Sequence, residues 1–171
     1  MKHLALALGF LIASGLATAA VSQQAFAVHN APQDVPNVRF KNEAGKKLSL
    51  SDFRGQVLLV NIWATWCPPC VKEMPTLDRL QAELGADKIK VLTLSIDRKG
   101  APVVRAFFDR IKVQNLEIYV DQTMLAATAL RAFGLPATIL INAEGREIGR
   151  LNGPAEWDDP KMVAFLKGFT E

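Results

Sequence analysis

Two cysteines, Cys67 and Cys70, stand two residues apart directly behind an apolar strand, and the chain has no others. The strand, residues 57–63, reads Val-Leu-Leu-Val-Asn-Ile-Trp, rich in β-branched and aromatic residues and short enough for a buried parallel strand. Behind the pair, Cys70, Met74, Leu77, Leu80 and Leu84 recur at helical spacing. A strand running through a tight corner into a helix constrains the whole chain toward alternating α and β elements. It also puts Cys67 at a helix N-terminus, where unpaired amides and the helix dipole favour a negatively charged sulfur.

The pair has no structural partner to staple. An exported domain that uses cysteines for stability spreads them through its loops, whereas here each thiol has only the other. Closing so short a loop removes little chain entropy from the unfolded state. Reversible exchange is the better reason for the motif, and it needs no cofactor beyond the Cys67–Cys70 couple itself. A structural zinc site needs about four ligands. Beyond the two cysteines the region after the leader offers only His29, so no metal is expected.

The first 27 residues do not read as fold. Lys2 supplies a short positive region, residues 4–21 are apolar or small, and Ala25-Phe26-Ala27 fits a small-x-small cleavage site. A cleaved export signal and a retained single-span anchor both fit, because such a run reaches the lower limit for crossing a bilayer. Either places the domain outside the cytoplasm, in the periplasm, free or tethered through residues 4–21. A formal charge of +3 on 171 residues, with no dense basic cluster, gives no support to nucleic-acid binding.

Residues 28–36 are polar and proline-bearing and read as a flexible lead-in, leaving 37–171 as one domain. Residues 38–41 and 47–50 flank Asn42-Glu43-Ala44-Gly45, an expected hairpin. Residues 89–96 suggest a second buried strand, and Val103, Val104, Phe107, Phe108 and Ile111 mark the next helix. A short strand or extended segment is expected over 116–120. A helix over 124–133 follows, stopped by Gly134 as a left-handed cap. Residues 137–141 and 146–151 form a hairpin about Asn142-Ala143-Glu144-Gly145. Asp159 and Pro160 then open a last helix that buries Met162, Val163, Leu166 and Phe169. The fold class is α/β, a central mixed sheet between helices with an N-terminal β-hairpin extension.

This order, with Trp66-Cys67-Pro68-Pro69-Cys70 opening the first helix, resembles the thioredoxin fold over most of residues 48–171. Pro75 stands where thioredoxin-like proteins kink this helix, and Gly134-Leu135-Pro136-Ala137-Thr138 resembles their cis-proline loop. The run from Leu50-Ser51-Asp52-Phe53 through Asn61-Ile62-Trp63-Ala64-Thr65-Trp66 is similar to the exported TlpA/ResA/CcmG group of thiol–disulfide oxidoreductases. Asn61 replaces the buried aspartate of cytoplasmic thioredoxins, and Glu73 matches an active-site glutamate of ResA-like members.

The resemblance implies a catalytic set of Cys67, Cys70 and Glu73. Cys67 is the expected nucleophile and Cys70 resolves the mixed disulfide from inside. Two readings stand open for Glu73. One is a solvated surface residue; the other is a buried acid that moves a proton during resolution. Trp66, Pro68 and Pro69, with Leu135 and a cis Pro136, form the expected substrate-binding surface, the backbone of the Leu135–Pro136 segment meeting an extended peptide in strand-like pairing. Trp63 and Trp157 carry no reading stronger than packing. Because Pro68 and Pro69 lack amide hydrogens, only the Cys70 amide can donate to the Cys67 sulfur among the first three backbone groups. Fewer donors favour a more reducing couple.

The implied partners are protein thiols and disulfides as substrates, of the cytochrome c maturation or copper-site assembly type, with a membrane thiol donor supplying electrons. Two alternatives remain. One is an oxidant of folding exported proteins; the other is a module delivering Cu(I) on the same two thiolates.

Overall fold

The computed structural model describes residues 26–170. The apolar leader, including the run over 4–21, lies outside the described residues. Among the described residues no helix is long and apolar enough to cross a membrane.

Strand β4, Val57–Trp63, is the centre of the molecule. All seven of its residues are buried, as an apolar run without alternation requires, because both faces of the sheet are covered. It pairs in parallel with β5 (Ile89–Ser95) and antiparallel with β7 (Ala137–Ile141). Outward from β5 come β6 (Tyr119–Val120), β2 (Arg39–Asn42) and β3 (Lys47–Ser49). Outward from β7 come β8 (Arg146–Asn152) and β1 (Ala27–Asp34). The eight-stranded mixed sheet therefore has the order β1-β8-β7-β4-β5-β6-β2-β3, with β2 and β3 as the expected N-terminal hairpin.

Helix α1, Pro68–Leu84, buries Met74, Leu77 and Leu80 completely and continues through Pro75. Helix α2, Ala101–Ile111, lays Phe107 and Phe108 on Trp63, with ring centroids 5.3 and 5.7 Å away. Two short helices complete the chain: α3 (Leu125–Ala129), and α4 (Pro160–Lys167), which contacts α1. Asp159 caps α4 as expected, accepting from the Lys161 amide at 2.9 Å.

Two sequence expectations change. The flexible lead-in over 28–36 is instead strand β1 across Ala27–Asp34, hydrogen-bonded to β8. Apart from the partly buried His29 its side chains face water, so it has no apolar period to read. It is held by main-chain pairing and by a side-chain clamp. Glu147 accepts from Arg150 Nε at 2.6 Å and Nη2 at 2.7 Å, and lies 2.8 Å from His29 Nε2. The helix expected over 124–133 is only five residues long. Arg131, not Gly134, takes the left-handed conformation, at φ 56°. The segment expected over 116–120 as a short strand or extended stretch forms strand β6 at Tyr119 and Val120.

Candidate active site

The chain turns from β4 into α1 through Ala64-Thr65-Trp66, and a buried aspartate fixes that corner. Asp97, at the end of β5, accepts from the Thr65 amide at 2.9 Å, the Thr65 hydroxyl at 2.8 Å and the Ser95 hydroxyl at 2.8 Å. Asp97→Ala strands these three donors and is expected to cost about 2–3 kcal/mol in denaturant unfolding. A loss below about 1 kcal/mol would show that the corner holds without it.

Cys67 is the N-cap of α1 and is joined to Cys70 in a disulfide, their Cα atoms 5.3 Å apart. Cys67 keeps 5% exposure and Cys70 none. The Cys70 amide donates to Cys67 Sγ at 3.4 Å. Pro68 and Pro69 occupy the first two helical positions and have no hydrogen to give, so that contact is the backbone donation α1 makes to this sulfur.

The surface around the pair is apolar and open. Trp66 is 64% exposed, Pro68 is exposed and Pro69 partly so. On the neighbouring strand Ala137 pairs with Ile62, which brings Pro136 to the level of Trp63. The Leu135–Pro136 bond is cis, and the Pro136 carbonyl accepts from the Gly153 amide at 2.8 Å. Leu135 is half-buried and Pro136 buried. The structure thus gathers the cysteine motif and the proline loop at one end of the central strands.

Glu73 lies one helical turn beyond Cys70 and is 3% exposed, which removes its reading as a surface residue. Its carboxylate is held by donors from two other parts of the fold. Oε1 accepts from Asn61 Nδ2 at 2.9 Å. Oε2 accepts from the Ala155 amide and from Trp157 Nε1, both at 3.0 Å. Burial pushes the carboxyl from its ordinary 4.5 up to about 7, against the opposing pull of these hydrogen bonds.

The donors also say where a proton can go. Both partners of Oε2 are N–H groups that cannot accept, so the protonated form carries its hydrogen on Oε1, facing Asn61. Asn61 also donates to Thr138 Oγ1 at 2.9 Å, while its own buried Oδ1 has no partner. Turning the Asn61 amide over presents Oδ1 to the new Glu73 O–H, and the Thr138 hydroxyl then donates to the same oxygen. Asn61 can serve both protonation states of Glu73.

Sequence reasoning grouped Cys67, Cys70 and Glu73 as the catalytic set that the resemblance implies, and it noted Asn61 only as a departure from a pattern. It missed Trp157, which is a ligand of the Glu73 carboxylate as well as a packed ring. Among the described residues no group of three or more His, Cys, Asp or Glu side chains is placed to hold a metal ion.

The AhpC/TSA family model matches residues 31–146. The thioredoxin-like protein YneN of Bacillus subtilis (strain 168) is 35% identical over 115 residues, 66% of this chain and 66% of its own. The thiol-disulfide oxidoreductase ResA of Bacillus thuringiensis subsp. konkukian (strain 97-27) is 27% identical over 138 residues, 81% of this chain and 78% of its own. Among solved structures, the exposed lipoprotein thioredoxin Etrx1 of Streptococcus pneumoniae strain TIGR4 is 25% identical with a TM-score of 0.64, covering 77% of this chain and 98% of that one.

Proposed function

Because the chain belongs to the AhpC/TSA family, and within it is a thioredoxin-fold thiol–disulfide oxidoreductase of the ResA type, we propose that it reduces selected protein disulfides outside the cytoplasm. The observation that carries the direction is the Cys67 cap with its single backbone donor, the Cys70 amide. A thiolate with few donors gains little from the reduced state, which makes the dithiol a better electron source.

In the reaction, the Cys67 thiolate attacks one sulfur of a client disulfide. The client S–S bond breaks and its other sulfur leaves as a thiolate that takes up a proton. The Cys70 thiol, giving its proton to Glu73, then attacks Cys67 Sγ and releases the second client sulfur. Two electrons pass to the client, and the protein is left with the Cys67–Cys70 disulfide of the present structure. A thiol donor in the membrane returns the couple to the dithiol. Trp66, Pro68, Pro69, Leu135 and Pro136 offer the surface on which an extended client strand lies. Cytochrome c maturation and copper-site assembly are the client classes that this reading favours, with the protein in the periplasm.

Trapping the thiols of intact cells with an alkylating agent tests the direction. The reductase reading expects Cys67 and Cys70 largely reduced. A largely oxidised pair would make the protein an oxidant instead.

A further inference from the structure

A groove of about 500 Å³ lies beside the disulfide, not on it. It opens where β2 and the segment after β6 part company. Trp63 pairs with Ser95, Ser95 with Val120 and Val120 with Lys41, so these four residues stand in one row across the sheet. Three strand spacings separate Lys41 from Trp63, about 14 Å. The groove therefore sits at the same end of the strands as the cysteines, to one side.

Its chemistry is lopsided. Val120, Ala126 and Ala129 line it, with Leu125 at the lip and 70% exposed. Arg39, Lys41 and Lys47 also line it and are exposed, and none of the three forms an ion pair among the described residues. Lys41 faces Lys47 directly across the β2–β3 ribbon. Like charges so placed repel, and Arg39, two residues from Lys41, projects on the same face. The one carboxylate in the lining does not relieve them. Asp121 is buried and turned inward, accepting from the Thr123 amide at 3.0 Å, the Thr123 hydroxyl, and the Ala126 amide at 2.7 Å.

We propose that this groove is a docking site for the client polypeptide, taking an acidic segment with an apolar anchor that lies a few residues from the cysteine under attack. The proposal rests on the reductase reading and adds the feature by which clients are selected. An extended chain covers the lateral distance in about four or five residues. Carboxylates of the segment would sit between Lys41, Lys47 and Arg39, and an apolar side chain would enter beside Leu125. Their approach is favoured by removing a repulsion already present in the free protein.

The test uses the reduced full chain and three synthetic disulfide peptides, alike except for an acidic-apolar, basic-apolar or neutral segment about five residues from the cysteine. Each rate is divided by the same enzyme's rate on a small uncharged disulfide. The acidic peptide is expected to exceed the basic one in kcat/KM by about tenfold or more at low ionic strength, the advantage shrinking in about 0.5 M salt. Lys41→Glu and Lys47→Glu, each of which converts the like-charge pair into an opposite one and so keeps the ribbon, should bring that ratio close to one.

Equal rates for acidic and basic peptides, or a preference that survives both reversals, would overturn the proposal. If no disulfide at all is reduced, the reductase reading fails, and the groove is then read by fluorescence anisotropy with a cysteine-free acidic peptide. Saturable binding that Lys41→Glu weakens supports the site. No binding, or equal binding of the basic counterpart, removes it.

Discussion

Cys67→Ser is expected to lower disulfide reduction by more than about 10³-fold, because a hydroxyl at neutral pH has almost none of the thiolate character that attacks sulfur. Cys70→Ser is expected to behave differently. Its first attack survives and only resolution is lost, so a one-to-one mixed disulfide with the client accumulates and is read by mass spectrometry under non-reducing conditions. The two variants lose the same covalent bond, and its loop is so short that the chain-entropy estimate of its stabilisation is only about 2 kcal/mol. Unfolding curves should therefore look alike for the two while their chemistry diverges. A Cys67→Ser protein that still turns over, or a Cys70→Ser protein that traps nothing, would exchange or abolish the assigned roles.

The parts of this fold that were legible in the sequence are those whose side chains carry the energy. Strand β4 could be read because all seven of its residues are buried, and α1 because Met74, Leu77 and Leu80 repeat on one face. Strand β1 could not, since an edge strand with all its side chains but His29 in water is held chiefly by main-chain hydrogen bonds that leave no period in the sequence. The same contrast runs through the site. The cysteines announce themselves by spacing alone. The ligands of Glu73 come from residues 12 and 84 positions away, at Asn61 and Trp157, and no local pattern joins them. One hint was available: Asn61 and Thr138 interrupt two otherwise apolar strands, and a polar side chain in such a position needs a buried partner. Each turned out to be part of the other's answer, hydrogen-bonded across β4 and β7.

Glu73→Gln should change the pH dependence of stability more than any other single substitution at this site. In the folded protein burial raises this carboxyl from 4.5 to about 7, so between those values the folded state holds a proton that the unfolded chain has released. The contribution is fully present below pH 4.5 and is lost as pH rises through 7. By linkage the loss is on the order of 3 kcal/mol. Gln cannot ionise, and the structure can receive it. Its carbonyl takes the Ala155 and Trp157 donors, while its amide donates to Asn61 Oδ1 once that side chain turns over, giving the unpaired oxygen a partner. Subtracting the unfolding free energies of the two proteins across pH cancels every other carboxylate. The difference curve should be level below pH 4.5, climb in favour of Glu73→Gln toward pH 7 and level again above it. In the same variant the first attack by Cys67 should persist while resolution slows by about 10²-fold, the usual scale for losing a general base. A flat difference curve would mean that Glu73 folds in already ionised. A full-speed resolution step with the expected curve would leave the carboxyl as a buried structural group and transfer the proton's path to solvent.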